Sequence, residues 1–492
     1  METFLTILRN IGIILAVILS FNIIIFVHEL GHFLAARWRG LKVERFQIWF
    51  GKPIWKKTIN GVQYGLGSIP AGGFVALPQM APMESIEGSN SDRENPLPPI
   101  SPLDKIIVAF AGPLFSFLLA FAAAVFIWQA GTPKSLLETQ TVGYIPSEMP
   151  AAKAGLKEGD KIIKINGEEV KGFGGSLDSI RERIVFSTGE KITLTIERPG
   201  VGEMDIVTGF HVDEASNFTK RDGVRRIGIG PVSDVIVGSL FKGGPAEFSG
   251  FKVDDKVLSI DGVKIWSSSQ FSSILQENPN KLLDVVVSRD GKELTLQTMS
   301  LVPSNGYKLD PENDALPMIG MGFKASVKKT ELVYPEPWEQ ITATSRMMAV
   351  TIGALTSSDS SIGVQHLSGP VGIGKVQYHI LLGEYPIRRL LYFWVLFNVN
   401  LAIFNLLPFP VLDGGHITMA TMEWIRKKPL NTKVLEVVQS AFVALLLTMF
   451  VYVTMKDTFT SFVQTAPERE DGSPTKPEWT KEDLAKALKP NA

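Results

Sequence analysis

Cysteine is absent from this 492-residue chain. Its absence excludes disulfides, a thiol nucleophile and any cysteine-ligated zinc or iron–sulfur site, so only His, Asp or Glu could hold a metal. An excess of charge of one sign is also missing. The 49 Lys and Arg stand against 50 Asp and Glu, and a net charge of −1 supplies no basic field to hold a nucleic-acid backbone. Nucleic acid is therefore not an expected partner. What is abundant is apolar: 45% of residues are hydrophobic and the mean hydropathy is positive, high for a wholly soluble protein of this size.

Four stretches are apolar enough to cross about 30 Å of hydrocarbon, which takes about 20 helical residues. They run from about Ile11 to Leu34, Ile106 to Trp128, Leu390 to Leu407 and Val434 to Met455. The first lacks a small-residue cleavage site and carries His28, Glu29 and His32 within its apolar run, so it reads as retained and not as a signal peptide. Arg37, Arg39, Lys42 and Arg45 follow the first span, and Arg426, Lys427, Lys428 and Lys433 separate the third and fourth. The positive-inside rule puts both segments in the cytoplasm and both termini, with the long middle region, outside. Arg388 and Arg389 oppose this order, but charges beside a long translocated domain weigh less.

The middle region repeats. Val142, Gly143, Pro150, Ala151, Gly155, Asp160, Ile165 and Gly167 recur 95 residues on as Val237, Gly238, Pro245, Ala246, Gly250, Asp255, Ile260 and Gly262. A shared offset of this kind marks a duplicated domain. The run from Gly155 to Ile162, followed by Ile165-Asn166-Gly167, resembles a PDZ domain, a fold that binds peptides by strand addition. Service as steric spacers over the membrane face is the equally weighted alternative. Asn60-Gly61 predicts a two-residue turn between strands near Ile54 to Ile59 and Val62 to Ile69. Met83 to Pro99, rich in Pro, Ser and acidic residues, reads as a mobile cytoplasmic loop, and the tail after Thr465 as mostly disordered. Pro337 to Leu355 fits either an amphipathic helix on the outer leaflet or a buried helix of a juxtamembrane subdomain.

His28-Glu29-Leu30-Gly31-His32 puts two imidazoles on one helical face, four residues apart, the spacing with which both reach one tetrahedral zinc. Ionisable groups inside an apolar helix are costly and usually functional. A catalytic zinc takes three protein ligands and leaves a place for water. Asp413 is the leading third ligand, since Pro408 and Pro410 break the chain just before it and a carboxylate at that depth demands a partner. His416 is the alternative. His32 precedes Arg37 by five positions, about 7 to 8 Å of helix, so the site should lie shallowly on the cytoplasmic side. His211, His366 and His379 read as surface or hydrogen-bonded residues, and Asn405 as either a hydrogen-bond donor to substrate or a plain helix C-terminal polar residue.

At these residues the chain resembles the site-2 protease family of intramembrane zinc metalloproteases, in its bacterial branch of the regulator of sigma-E protease type. The shared pieces are His28 to His32, Phe50 to Pro53, Ile69 to Val75, Phe110 to Pro113, the paired repeats, Leu367 to Gly372, and Asn405 through Asp413. The resemblance implies that His28, His32 and Asp413 bind Zn2+, that Glu29 is the general base, and that Asn405 positions substrate. It further implies that a hairpin around Gly65 and Gly67 re-enters the membrane and pairs with an extended substrate, while the PDZ pair acts as a periplasmic size filter. Ser116 stands where many relatives carry Asn, which leaves its role open.

The expected fold is a polytopic α-helical membrane protein of the bacterial inner membrane. Four transmembrane helices carry a membrane-associated β-hairpin and two inserted α+β PDZ-like domains. The layout is a first helix with the zinc motif (1–40), hairpin and loop (41–102), second helix (103–130), PDZ-like domains (136–225 and 226–325), an amphipathic region (326–389), third helix with the third ligand (390–416), fourth helix (433–456) and tail (457–492). The expected substrates are single-span membrane proteins, an anti-sigma factor first and remnant signal peptides second. The competing classes are a non-catalytic PDZ membrane adaptor, which an intact metal triad disfavours, and a transporter, which four spans without an inverted repeat disfavour.

Overall fold

The computed structural model describes residues 2–80, 97–98, 100–134, 137–214, 223–308, 314–324, 331–428, 432–464, 476–480, 482 and 484. The chain forms two compact units. One takes residues 1–134, 332–353 and 367–458, the other residues 135–331, 354–366 and 459–492.

The first unit is built on helices α1 (Glu2–Trp38), α2 (Pro102–Ala130), α3 (Pro337–Thr356), α4 (Pro370–Leu382), α5 (Pro386–Asn405), α6 (Asp413–Arg426) and α7 (Thr432–Gln464). Four of them are long and apolar enough to span a membrane, over Phe4–Trp38, Pro102–Ala130, Pro386–Asn405 and Leu435–Thr458, in agreement with the four apolar stretches of the sequence. Helix α2 begins where a cap predicts: Ser101 Oγ accepts from Asp104 N–H at 3.1 Å, and Pro102, which has no N–H to satisfy, takes the first helical position. In α3, Gln340, Ile341 and Thr344 are buried, with Ile341 in one cluster with Ala120, Ala124 and Ile127 of α2 and Val395 and Val399 of α5. One face of this helix is therefore packed, whereas Trp338 is exposed. The Asp457 carboxylate of α7 accepts from Gly369 N–H (2.7 Å) and Gly372 N–H (2.9 Å), serving as a cap for α4 from a distant helix.

Between α1 and α2 lies a four-stranded sheet of β1 (Arg45–Phe50), β2 (Trp55–Ile59), β3 (Val62–Leu66) and β4 (Ile69–Ala76), in the order β2-β3-β1-β4. Asn60 and Gly61 both take positive φ (49° and 78°), the backbone of the tight turn that joins β2 to β3. A bulge at Trp49, with φ 70°, turns its indole so that Nε1 donates to Asn22 Oδ1 at 2.6 Å, which ties the sheet to α1. The loop expected at Met83 to Pro99 lies outside the described residues, apart from 97 and 98.

The second unit contains the repeat. Strand Val142–Tyr144, helix Pro150–Lys153, strands Lys161–Ile165 and Glu168–Glu169, helix Ile180–Val185, and strands Lys191–Arg198 and Gly202–Gly209 are followed by the same order from Val235–Leu240 to Lys292–Met299. Each copy has its own apolar core. Each also carries the same ion pair. Asp160 meets Arg198 at 2.7 Å and Asp255 meets Arg289 at 2.6 Å, each guanidinium also donating to a glycine carbonyl, Gly155 or Gly250. Both aspartates are 1% exposed.

The expected boundary between the copies, after residue 225, falls too early. Ile227 sits in the core of the first copy, and strand Gly230–Pro231 pairs antiparallel with Val142–Tyr144, so the first copy is complete only past Pro231. A strand that pairs with one formed much earlier in the chain leaves no local mark of which copy owns it. The tail also departs from expectation in part: residues 476–480 lie against the second copy. Ser304 N–H donates to Glu478 O at 2.9 Å, Asn305 Nδ2 donates to Lys476 O at 2.8 Å, and the Trp479 ring covers Gly244 and Gly320. A large aromatic surface offsets the entropy of ordering that a charged tail alone does not.

Candidate metal centre

The spacing of His28 and His32 in α1 brings their Nε2 atoms to 3.3 Å from each other. Pro408 and Pro410 interrupt the chain after α5, Leu412 is extended (φ −94°, ψ 163°), and α6 starts at Asp413. This path delivers the Asp413 carboxylate to both imidazoles, with Oδ2 3.4 Å from His28 Nε2 and Oδ1 3.3 Å from His32 Nε2. Among the described residues, these three form the only cluster with metal-ligand spacing. His416, the alternative third ligand, lines the same cavity but is outside the cluster.

The donor set fits zinc. A tetrahedron with metal–ligand distances of about 2.0 to 2.1 Å has edges of about 3.3 to 3.4 Å; the two Nε2 atoms are one such edge apart, and each carboxylate oxygen lies at a similar distance from one of them. The side chains are only 12 to 17% exposed and face a cavity. Without a cation between them, a carboxylate and two imidazoles withdrawn from water would carry a large desolvation cost.

Helix α2 holds the two imidazoles by their other nitrogens. His32 Nδ1 lies 2.8 Å from the Val108 carbonyl oxygen, and His28 Nδ1 lies 3.0 Å from Ser116 Oγ. Gly112, midway between, faces the His32 ring so closely that a Cβ there would overlap its Nε2. Glu29 lines the cavity beside the ligands, and Asn405, the last residue of α5, has Nδ2 3.5 Å from His28 Nε2. Lys105 Nζ meets Glu423 Oε2 at 2.7 Å, joining the start of α2 to α6 close to the site.

Strand β4 forms another wall, through Gly73, Phe74 and Val75. A Cβ on Gly73 would stand 3.3 Å from Glu29 Cγ and 3.0 Å from Ile25 Cγ2, a tight fit that glycine relieves where the strand approaches α1. Gly65 and Gly67, expected to contact substrate, are not on the cavity wall. Gly65 lies in β3, which is flanked by β2 and β1 and has both edges used, whereas β4 is at the end of the sheet. The spare backbone groups nearest the donors are therefore those of β4. Gly73 and Gly112 fall within the motifs Ile69 to Val75 and Phe110 to Pro113, but their local sequence carries no sign of the side chains of α1 that each faces.

Comparison with known proteins places this geometry in context. The model of peptidase family M50 matches residues 16–449. The regulator of sigma-E protease RseP of Escherichia coli is 28% identical over 443 residues, covering 85% of this chain and 92% of its own. A Neisseria meningitidis protein that carries a zinc metalloprotease name is 29% identical over 435 residues, covering 86% and 93%. A crystal structure of a PDZ domain from an SdrC-like protein of Listeria monocytogenes is 18% identical, covers 19% of this chain and 90% of its own, and has a TM-score of 0.16.

Proposed function

The chain belongs to peptidase family M50 and is a zinc metalloprotease, and we propose that it cuts peptide bonds inside the membrane-spanning segments of single-span membrane proteins. The observation that carries this reading is the convergence of His28 and His32, on a helix apolar enough to span a bilayer, with Asp413 at the start of α6, as a metal-ligand cluster in a cavity also lined by Glu29. Zinc bound there supplies a Lewis acid that polarises a carbonyl and makes water acidic enough to react near neutral pH.

The chain's own residues do the rest. Glu29 accepts the proton of the attacking water and passes it to the leaving amine. Asn405 donates from Nδ2 to the oxygen of the scissile carbonyl, where negative charge develops. A transmembrane helix hides its peptide groups in its own hydrogen-bond ladder, so it must unwind to be cut, and the freed groups need partners that lipid does not offer. The outer edge of β4 supplies them, by adding the substrate as a further strand. The aromatic and apolar wall of Phe74, Val75 and Leu412 receives its side chains.

The site lies on the cytoplasmic side of the inner membrane in this reading, beside Arg37 and Arg39, and the repeats are periplasmic. There the PDZ-like pair excludes substrates with bulky outer domains. By likeness to the RseP relatives, an anti-sigma factor already trimmed outside the membrane is the first substrate and remnant signal peptides are the second. A non-catalytic adaptor has no use for a buried three-ligand site with an adjacent carboxylate.

The test is the Glu29→Gln variant with a single-span model substrate. Retention of about one zinc per chain with cleavage slowed by about 10²- to 10⁴-fold is expected. Full activity in that variant would remove Glu29 from its role, and absence of zinc from the unmutated protein would end the protease reading.

A further inference from the structure

We infer that Ser116 is a positioning residue of the metal centre, whose hydroxyl accepts the proton of His28 Nδ1 and so commits Nε2 to the ion. This rests on the zinc-protease reading above and adds to it the group that sets the tautomer of one ligand.

The observation is a stripe on α2. Val108, Gly112 and Ser116 succeed one another at four-residue intervals, so they share a helical face, and that face meets His28 and His32 of α1. Val108 offers a carbonyl to His32 Nδ1, Gly112 offers space for the ring, and Ser116 offers a hydroxyl to His28 Nδ1. Ser116 is completely buried, so water cannot replace it as the partner of that nitrogen. A neutral imidazole carries one N–H, and a metal needs the lone pair of the other nitrogen. The Val108 carbonyl can only accept, which forces the proton of His32 onto Nδ1 and frees Nε2.

A hydroxyl can donate as well as accept; once the ion of the protease reading takes the Nε2 lone pair of His28, the one proton of the neutral ring is on Nδ1, and Ser116 Oγ, 3.0 Å away, is its acceptor. Both ligands are thereby held from one helix with Nε2 facing inward, at the separation a tetrahedral ion requires. The hydroxyl is needed for its position, while substrate need not touch it.

The test uses the purified full-length protein, unmutated and as Ser116→Ala and Ser116→Thr. Zinc affinity is measured by competition with a chromophoric chelator, and the cobalt-substituted protein gives a d–d absorption spectrum that reports ligand geometry. Ser116→Ala is expected to weaken zinc binding by about 10- to 100-fold and to change the cobalt spectrum, and Ser116→Thr, which keeps the hydroxyl, to stay close to the unmutated protein. Nitrogen-15 histidine spectra of the unmutated protein provide a reading that no folding defect affects, with His28 expected to be protonated on Nδ1. Zinc affinity and cobalt spectrum unchanged in Ser116→Ala, or His28 protonated on Nε2, would overturn the assignment of Ser116 and leave the protease reading intact. An unmutated protein that holds no zinc would instead fail the protease reading itself.

Discussion

Gly112 of α2 and His32 of α1 are packed so that a methyl group at the glycine Cα would occupy the space of the imidazole Nε2. The glycine therefore costs helix propensity in return for a ligand position, since alanine is favoured over glycine inside a helix by about 1 kcal/mol.

Gly112→Ala is accordingly expected to leave the protein folded yet displace His32. Zinc content should fall well below one per chain and cleavage should vanish, while thermal melting of the metal-free protein stays close to that of the parent. Metal analysis beside a melting curve checks both halves, and an active, zinc-loaded variant contradicts the packing.

Gly73→Val separates the strand from the metal. Its side chain meets Glu29 and Ile25, not a ligand, so zinc should be retained while activity on a membrane substrate falls by about 10²-fold through displacement of the base and the strand. Zinc content and cleavage rate, measured on one preparation, distinguish this from the outcome at Gly112.

Acid should loosen the second copy through its buried Asp255–Arg289 pair. Burial pushes the Asp255 carboxyl upward, but hydrogen bonds from the Arg289 guanidinium and the Lys252 N–H outweigh it and hold the group below its ordinary range. A carboxyl lowered by folding stabilises the folded state above its unfolded pKa of about 3.9, and that contribution is lost as pH falls through the folded value. Asp255→Asn, which strands Arg289, should destabilise the second copy by about 3 kcal/mol near neutral pH. Pulse proteolysis of the whole chain across pH 2 to 7 reads the second copy, and the variant should show a flatter acid dependence there.

Trp479→Ala should release the tail from the second copy. The ring covers Gly244 and Gly320, and its Nε1 donates to Leu301 O at 3.3 Å, so loss of this partly buried contact costs about 1 to 2 kcal/mol. Hydrogen exchange is expected to rise at Ser304, whose N–H is held by Glu478 O, and unchanged protection there counts against a docked tail.

Much of this architecture was legible from local pattern. The four apolar helices follow from unbroken hydrophobic runs, the shared face of His28 and His32 from the helical period, and the turn at Asn60-Gly61 from residues that tolerate positive φ. The 95-residue offset exposed the duplication, and the identical Asp–Arg pairs, Asp160 with Arg198 and Asp255 with Arg289, are its structural counterpart. Proline placement marked Asp413 as the residue at which the chain turns.

Other features depended on contacts between elements. The sheet edge nearest the metal ligands belongs to β4 and not to the hairpin around Gly65, because β3 spends both edges on β1 and β2, a pairing order that no single strand encodes. That Asp413 clusters with His28 and His32 while His416 stays outside, and that the two imidazoles find partners on α2, came from side chains meeting across helices far apart in the chain. By itself, the sequence determined which residues could ligate a metal and which segments could lie in lipid, since residue type and period are local properties. Only the tertiary structure decided which donors converge, which glycines make room for them and which strand is left with an open edge, because hydrogen bonds and excluded volume act between atoms brought together in space.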